Sequence, residues 1–210
     1  MSCDKKEERL LWIDVETTAI DPDDGDLLEV GMVLTDMRGK LLENPRYWLV
    51  KDQHSIRINA ATITAIGMHW ENNLIKEVCA LEACNGLAVS KEIRETLDKW
   101  SRNAVLHPAG TNVDFDLRWL AAHLGLHTTL DKLSHRKLDL TTLRLLDTAI
   151  GLDPYESHAT YHRVEDCLAR DLAEYWQRIE QMFDKDTPGA PDTTANTTKT
   201  LRSSPAGGCE

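Results

Sequence analysis

Three separate segments of this sequence carry closely spaced carboxylates. Asp14 and Glu16 follow the apolar run Leu10 to Ile13 in "LLWIDVETTAIDP" (10–22), and Asp114 and Asp116 fall within "GTNVDFDLRWL" (110–120). Glu165 and Asp166 lie in "HATYHRVEDCLARDL" (158–172), just after His158, Tyr161 and His162. Residues at i and i+2 of a strand share a face, so Asp14 and Glu16 would stand side by side and repel each other unless a cation lay between them. Hard ions such as Mg²⁺ and Mn²⁺ take clustered oxygen ligands of this kind. A pair of such ions can activate a water and stabilise a leaving oxygen, while a nearby imidazole takes a proton near neutral pH. Taken alone, Asp14 and Glu16 fit ordinary acids at a strand end equally well, because Asp-x-Glu is a short motif.

The elements around these acids are legible from periodicity. Segments 10–15, 27–36 and 41–50 read as strands, with Gly39 supplying a turn between the last two. Their short links predict an antiparallel meander. The period then changes, and 59–81, 88–102, 114–124, 141–149 and 163–183 read as helices around a buried strand at 104–109. Thr141 is the expected cap of the helix over 141–149. The fold class is α/β. Each acid pair therefore falls at the end of a strand or the start of a helix.

Composition narrows the chemistry. The 210 residues predict one domain over 1–185, followed by a disordered tail over 186–210 that is rich in Thr, Pro, Gly, Ala and Ser. A net charge of -11 leaves no broad basic surface for long nucleic acid, although metal ions can neutralise an acidic cleft. Five scattered cysteines suit free thiols in a reducing cytoplasm, and the charged N-terminus does not read as a signal peptide. No apolar run is long enough to predict a membrane span.

Read together, the motifs resemble the DEDD exonucleases of the ribonuclease H-like superfamily, in the histidine subclass, and are most similar to the oligoribonuclease family. "WIDVETTAIDP" is similar to the first motif of that family, "GTNVDFD" to the second and "HRVED" to the third; "MHWENNLIKEV" (68–78) and "RKLDLTTLRLL" (136–146) are also similar. The resemblance covers about residues 10–183. It implies a mixed five-stranded sheet flanked by helices. It also implies 3′-to-5′ hydrolysis of short single-stranded oligonucleotides, RNA over DNA, with two Mg²⁺ or Mn²⁺ ions, and a homodimer. Carried over residue by residue, Asp14, Glu16, Asp116 and Asp166 are the metal ligands and His162 is the general base. Tyr161 is the rival base. Thr17 and Thr18 are placed for backbone approach to the 3′-terminal nucleotide. His69 and Trp70 are placed to stack on a base, or, for Trp70, to pack a helix face. Trp12 and Asp139 receive structural roles.

The chain departs from the family pattern at two positions. Ala19 stands where the family has Gly. In the third motif the family places its last Asp five residues after the His, whereas here the fifth residue after His162 is Cys167 and Asp166 is the fourth. A one-residue deletion in the preceding loop keeps Asp166 as the fourth ligand. Two other readings stay open: a proofreading-type DNA exonuclease, and a catalytically impaired relative that binds nucleic acid. For the tail, truncation after Lys185 should leave the melting temperature and any nuclease activity nearly unchanged. A loss of several degrees in a thermal melt would show that the tail packs on the core.

Overall fold

The computed structural model describes residues 6–51, 55–155 and 161–182. The expected tail, together with His54 and His158, lies outside the described residues. Five strands form one mixed sheet. Strand β1 (Glu7–Thr17) runs antiparallel to β2 (Leu27–Asp36), and β2 runs antiparallel to β3 (Arg46–Leu49). On its other edge β1 pairs in parallel with β4 (Ala104–Gly110), which pairs in parallel with β5 (Leu138–Asp139). The order is β3-β2-β1-β4-β5, so β1 is central, as the expected meander and mixed sheet require.

The helices are α1 (Ile63–Glu71), α2 (Leu74–Ala80), α3 (Gly86–Trp100), α4 (Val113–Leu124), α5 (His127–Leu130), α6 (Leu140–Ala149) and α7 (Val164–Met182). They cover both faces of the sheet, which explains why 10–13 is continuously apolar rather than alternating. Leu11, Ile13 and Val15 pack with Ile93, Leu97, Trp119 and Leu120 of α3 and α4. Leu10 and Trp12 pack on the opposite face with Leu140 of α6 and with Leu168, Leu172 and Tyr175 of α7. Strand alternation then continues the even positions, so Asp14 and Glu16 emerge on the α7 side, at the end of the central strand. Trp12 is the core residue expected, its indole N–H donating to Thr35 Oγ1 at 3.0 Å.

Several expected boundaries moved for local reasons. The helix expected over 59–81 is two helices, broken where Asn73 takes a left-handed conformation (φ 68°). Asn adopts that region more readily than most residues, and the Asn72 side chain accepts from the Leu74 N–H at 3.0 Å, competing with helical continuation. The strand expected over 41–50 shortens to β3, since Pro45 offers no N–H and Leu41 makes just an isolated bridge to Thr35. Asp139, not Thr141, caps α6: its carboxylate accepts from the Thr141 N–H at 2.8 Å. Ala19 lies outside the positive-φ residues, so the family's glycine is not required there.

One glycine sets how closely α7 approaches the sheet. A Cβ on Gly31 of β2 would lie 2.6 Å from Leu168 Cδ1 and 2.9 Å from Val164 Cβ. Gly31 pairs with Asp14 across β1 and β2, so this bare position seats the first turn of α7 beside the acids. Gly31→Val should therefore cost about 1–3 kcal/mol through overpacking. At roughly 2–4 °C per kcal/mol for a domain of this size, a thermal melt should fall by several degrees. An unchanged melting temperature would show that α7 does not rest on this position.

Candidate active site

Asp14 and Glu16 stand where β1 outruns its neighbour, and Asp116 is tied to the same strand end through Val15. Parallel pairing with β4 ends at Trp12 and Ala109, which leaves the Val15 N–H without a strand partner. Asp116, in the first turns of α4, supplies one: its Oδ1 accepts from the Val15 N–H at 3.0 Å. Helix α4 is launched by Asn112 in a left-handed conformation, whose N–H donates to Asp139 at 3.2 Å. Asp116 is 3% exposed, and its Oδ2 is buried with no hydrogen-bond partner. Asp14 is half-buried as a residue, yet its Oδ2 is also buried without a partner. Glu16 lies opposite Glu29 in the register, just before a bulge between Glu16 and Thr17.

Burial and repulsion act together on these acids. Burial first, then Asp116, Glu16 and Asp171, push the Asp14 carboxyl well above the usual carboxylate range. Asp116 is likewise raised, chiefly by burial and further by Asp171 and Glu16, against the opposing pull of the Val15 N–H. Glu16 is pushed up to about 8 by burial and by Glu29. Glu29 is itself clamped by Arg163, whose guanidinium donates to it at 2.7 and 3.0 Å and also reaches Glu77 at 2.9 Å. Protonated or mutually repelling oxygens buried without partners are what a divalent cation would relieve, so the donor set fits such an ion.

The fourth position differs from the expectation. Asp166 is exposed on α7 and does not join the cluster. The buried Cys167 does: its Sγ lies 3.8 Å from Glu16 Oε1, and ligand atoms of Asp14, Glu16 and Cys167 lie within 4.8 Å of one another. The buried stripe of α7 runs through Val164, Cys167, Leu168, Asp171, Leu172 and Tyr175, and position 166 points away from it. The loop deletion is therefore not needed, and the ungapped register puts a thiol where the family pattern has a carboxylate.

His162 is exposed just before α7, in a left-handed conformation (φ 51°). Asn72 holds this segment, its amide donating to the carbonyls of Tyr161 at 2.7 Å and His162 at 2.8 Å. His69 is fully buried and cannot stack on a base, which corrects that expectation. Its Nε2 lies 3.2 Å from the Thr17 carbonyl and 3.6 Å from Glu16. Burial pushes its pKa down to about 4, and the neighbouring His162 adds to this, so the ring is neutral and its Nε2–H donates to Thr17. Trp70 is 54% exposed, with Lys76 Nζ 5.3 Å from its ring centre, so it is not a packed helix face. Thr17 and Thr18 are buried, and their hydroxyls are used internally: Thr17 donates to the Ala19 carbonyl at 2.9 Å, and Thr18 accepts from the Asp26 N–H at 2.7 Å.

No family model matches the chain. An oligoribonuclease from Idiomarina loihiensis is 30% identical over 149 residues, spanning 70% of this chain and 78% of its own length. The chain belongs to the oligoribonuclease family. An oligoribonuclease from Ralstonia nicotianae is 25% identical over 198 residues, spanning 91% of this chain and 86% of its own. Among solved structures, Escherichia coli exonuclease I in complex with an oligonucleotide has a TM-score of 0.60 at 12% identity, over 84% of this chain and 41% of that one. Exonuclease I from Methylocaldum szegediense gives 0.56 at 15% identity, over 85% and 41%. These two share the fold, and this chain spans about two fifths of their length.

Two residues of this family member had no clear signal in the sequence. Asn72 sits inside the family-like stretch 68–78, but its reach to the His162 segment depends on the break between α1 and α2. Asp171 is buried against Thr111, at 2.8 Å, and against Arg170 and Arg144. A buried acid at helical spacing within an apolar stripe was its one trace. Folding raises the Glu16 pKa, so the folded apo protein keeps a proton that the unfolded chain releases. Its stability is full below the ordinary Glu value of 4.5 and is lost as pH rises through about 8. Glu16→Gln, melted with chelator present, should accordingly be more stable than the parent by several degrees above pH 8. The gain should shrink as pH falls toward the ordinary glutamate range. A gain that does not depend on pH would contradict the raised pKa.

Proposed function

We propose that the chain removes nucleotides from the 3′ end of short single-stranded oligonucleotides, RNA in preference to DNA. The observation that carries this is the pair of buried, unpartnered oxygens on Asp14 and Asp116 at the strand end that also carries Glu16, in a chain of the oligoribonuclease family. Divalent ions, two Mg²⁺ or Mn²⁺ held by the carboxylates of Asp14, Glu16 and Asp116, would supply the charge that activates a water and stabilises the departing 3′ oxygen. His162 would take the proton of that water, as the exposed imidazole beside His69, whose ring lies 3.6 Å from Glu16. Asn72 positions it by fixing its backbone. His69, neutral and buried, stiffens the end of β1 from behind. Thr17 and Thr18 shape that strand end, beside which the 3′ nucleotide would lie, and the exposed Trp70 offers a face for a base. The net charge of -11 disfavours long strands and duplexes. None of the described helices is long and apolar enough to cross a membrane. The exposed apolar end of α6, with Leu145, Leu146 and Ile150, supports a homodimer.

A second reading has its own observation: a thiol at the fourth position favours an impaired relative that binds nucleic acid without cutting it. One assay separates the two. Short RNA, long RNA and short single-stranded DNA, all 5′-labelled, are incubated with Mg²⁺ or Mn²⁺. Short RNA should shorten stepwise from its 3′ end and faster than the others. Asp14→Asn should reduce the rate by orders of magnitude, and His162→Ala by roughly 10²–10⁴-fold. Tyr161→Phe should keep most activity. A parent chain that is inert while Cys167→Asp cuts would establish the impaired relative. An active Asp14→Asn would sink the metal-site assignment.

A further inference from the structure

We propose that Cys167 is itself a metal ligand, and that its sulfur shifts the site toward thiophilic divalent ions such as Zn²⁺ and Co²⁺ and away from Mg²⁺. This rests on the metal-site reading above and goes beyond it. The sulfur is buried on the stripe of α7 that Gly31 seats against the sheet, and it faces Glu16 at 3.8 Å. It lies with the oxygens of Asp14 and Glu16 within 4.8 Å, a span that one ion can bridge. Independently of the cysteine, Oδ2 of Asp14, a member of that same group, is buried without a partner, and so is Oδ2 of the 3%-exposed Asp116, which is bonded to the Val15 N–H between Asp14 and Glu16. Asp166, the carboxylate that would have kept an all-oxygen set, points to solvent.

The ligand chemistry follows from this donor set. Mg²⁺ demands near-octahedral oxygen coordination and gives up its water reluctantly. A thiolate is a soft donor that Zn²⁺ and Co²⁺ accept and Mg²⁺ does not. An ion bound at Cys167 displaces the thiol proton to solvent and forms a metal–sulfur bond. With Asp14 and Glu16 the set becomes two carboxylates and one thiolate. Substituting Asp at 167 restores three carboxylates at the same place.

Cobalt tests this without any appeal to catalysis. In a Cys3→Ser, Cys79→Ser, Cys84→Ser, Cys209→Ser variant, Cys167 is the remaining thiol. Its titration with Co²⁺ should give a saturable near-ultraviolet band from sulfur-to-cobalt charge transfer. The band should vanish in Cys167→Ser and weaken in Asp14→Asn. Zn²⁺ should remove it at far lower concentration than Mg²⁺. In Cys167→Asp, followed by calorimetry, the preference for Zn²⁺ over Mg²⁺ should fall by roughly tenfold or more. Co²⁺ uptake seen by calorimetry without the charge-transfer band would overturn the sulfur ligand and leave the metal site standing. A chain that takes up no Co²⁺ at all would overturn both.

Discussion

The cost of holding three like-charged groups together out of water governs this structure. Asp14 and Glu16 share a strand face because the sheet alternates, and Asp116 is brought to them because β1 runs past the end of β4 and needs a partner for the Val15 N–H. A buried carboxylate pair is costly unless charge or protons offset it. Here the offsets are visible. The pKa values of all three acids rise, and Arg163 confines Glu29 so that it adds less to the repulsion. The two buried oxygens left without partners lie where a cation would be accepted.

The rest of the fold supplies rigidity at that point. Residues on β1 alternate between a layer packed on α3 and α4 and a layer packed on α6 and α7, so the strand cannot slip by one residue without exchanging its two cores. Asn72 joins the break between α1 and α2 to the segment entering α7, and His69 holds the Thr17 carbonyl from the same helix. His162 and Trp70, the groups proposed to meet substrate, are exposed, but the backbones that carry them are tied to buried elements. Placing the reactive groups on restrained backbone lowers the cost of orienting them when a strand end arrives.

The sequence made the central strand, its two acids and Asp116 legible, because alternation and the strand-to-helix position fix their direction without tertiary detail. Strand β5 and helix α5 escaped notice because they are short and carry no period. The cap of α6 differs from the expected Thr141 because Asp139 and Thr141 are both capping types, and Asp139 is the one that stands just before the first helical residue. The fourth ligand position shows the main failure. Periodicity already placed 167, not 166, beside Val164, Leu168 and Asp171 on one helix face. A carboxylate at 166 completes an all-oxygen set only with a deletion in the preceding loop, whereas the helical period alone puts 167 on the buried face. His69 failed for a related reason: its type suggested a contact surface, while burial depends on where α1 docks and cannot be read locally.

A thiol at position 167 also changes the state without an ion. A carboxylate there would add a fourth acid to a buried cluster whose members already repel one another. The thiol instead donates to Glu16, and this contact opposes the rise in the Glu16 pKa that burial and Glu29 cause. The side chain is therefore a weak donor to Glu16 and, on the proposal above, would become an anionic ligand to a bound ion. A carboxylate can imitate the first role only by keeping its own proton in the cluster. A thiol at 167 in place of a carboxylate thus adds no further charge to the buried acids and, on the proposal above, would alter which ions the site takes. The two effects have one origin, the proton that sulfur carries in the absence of metal.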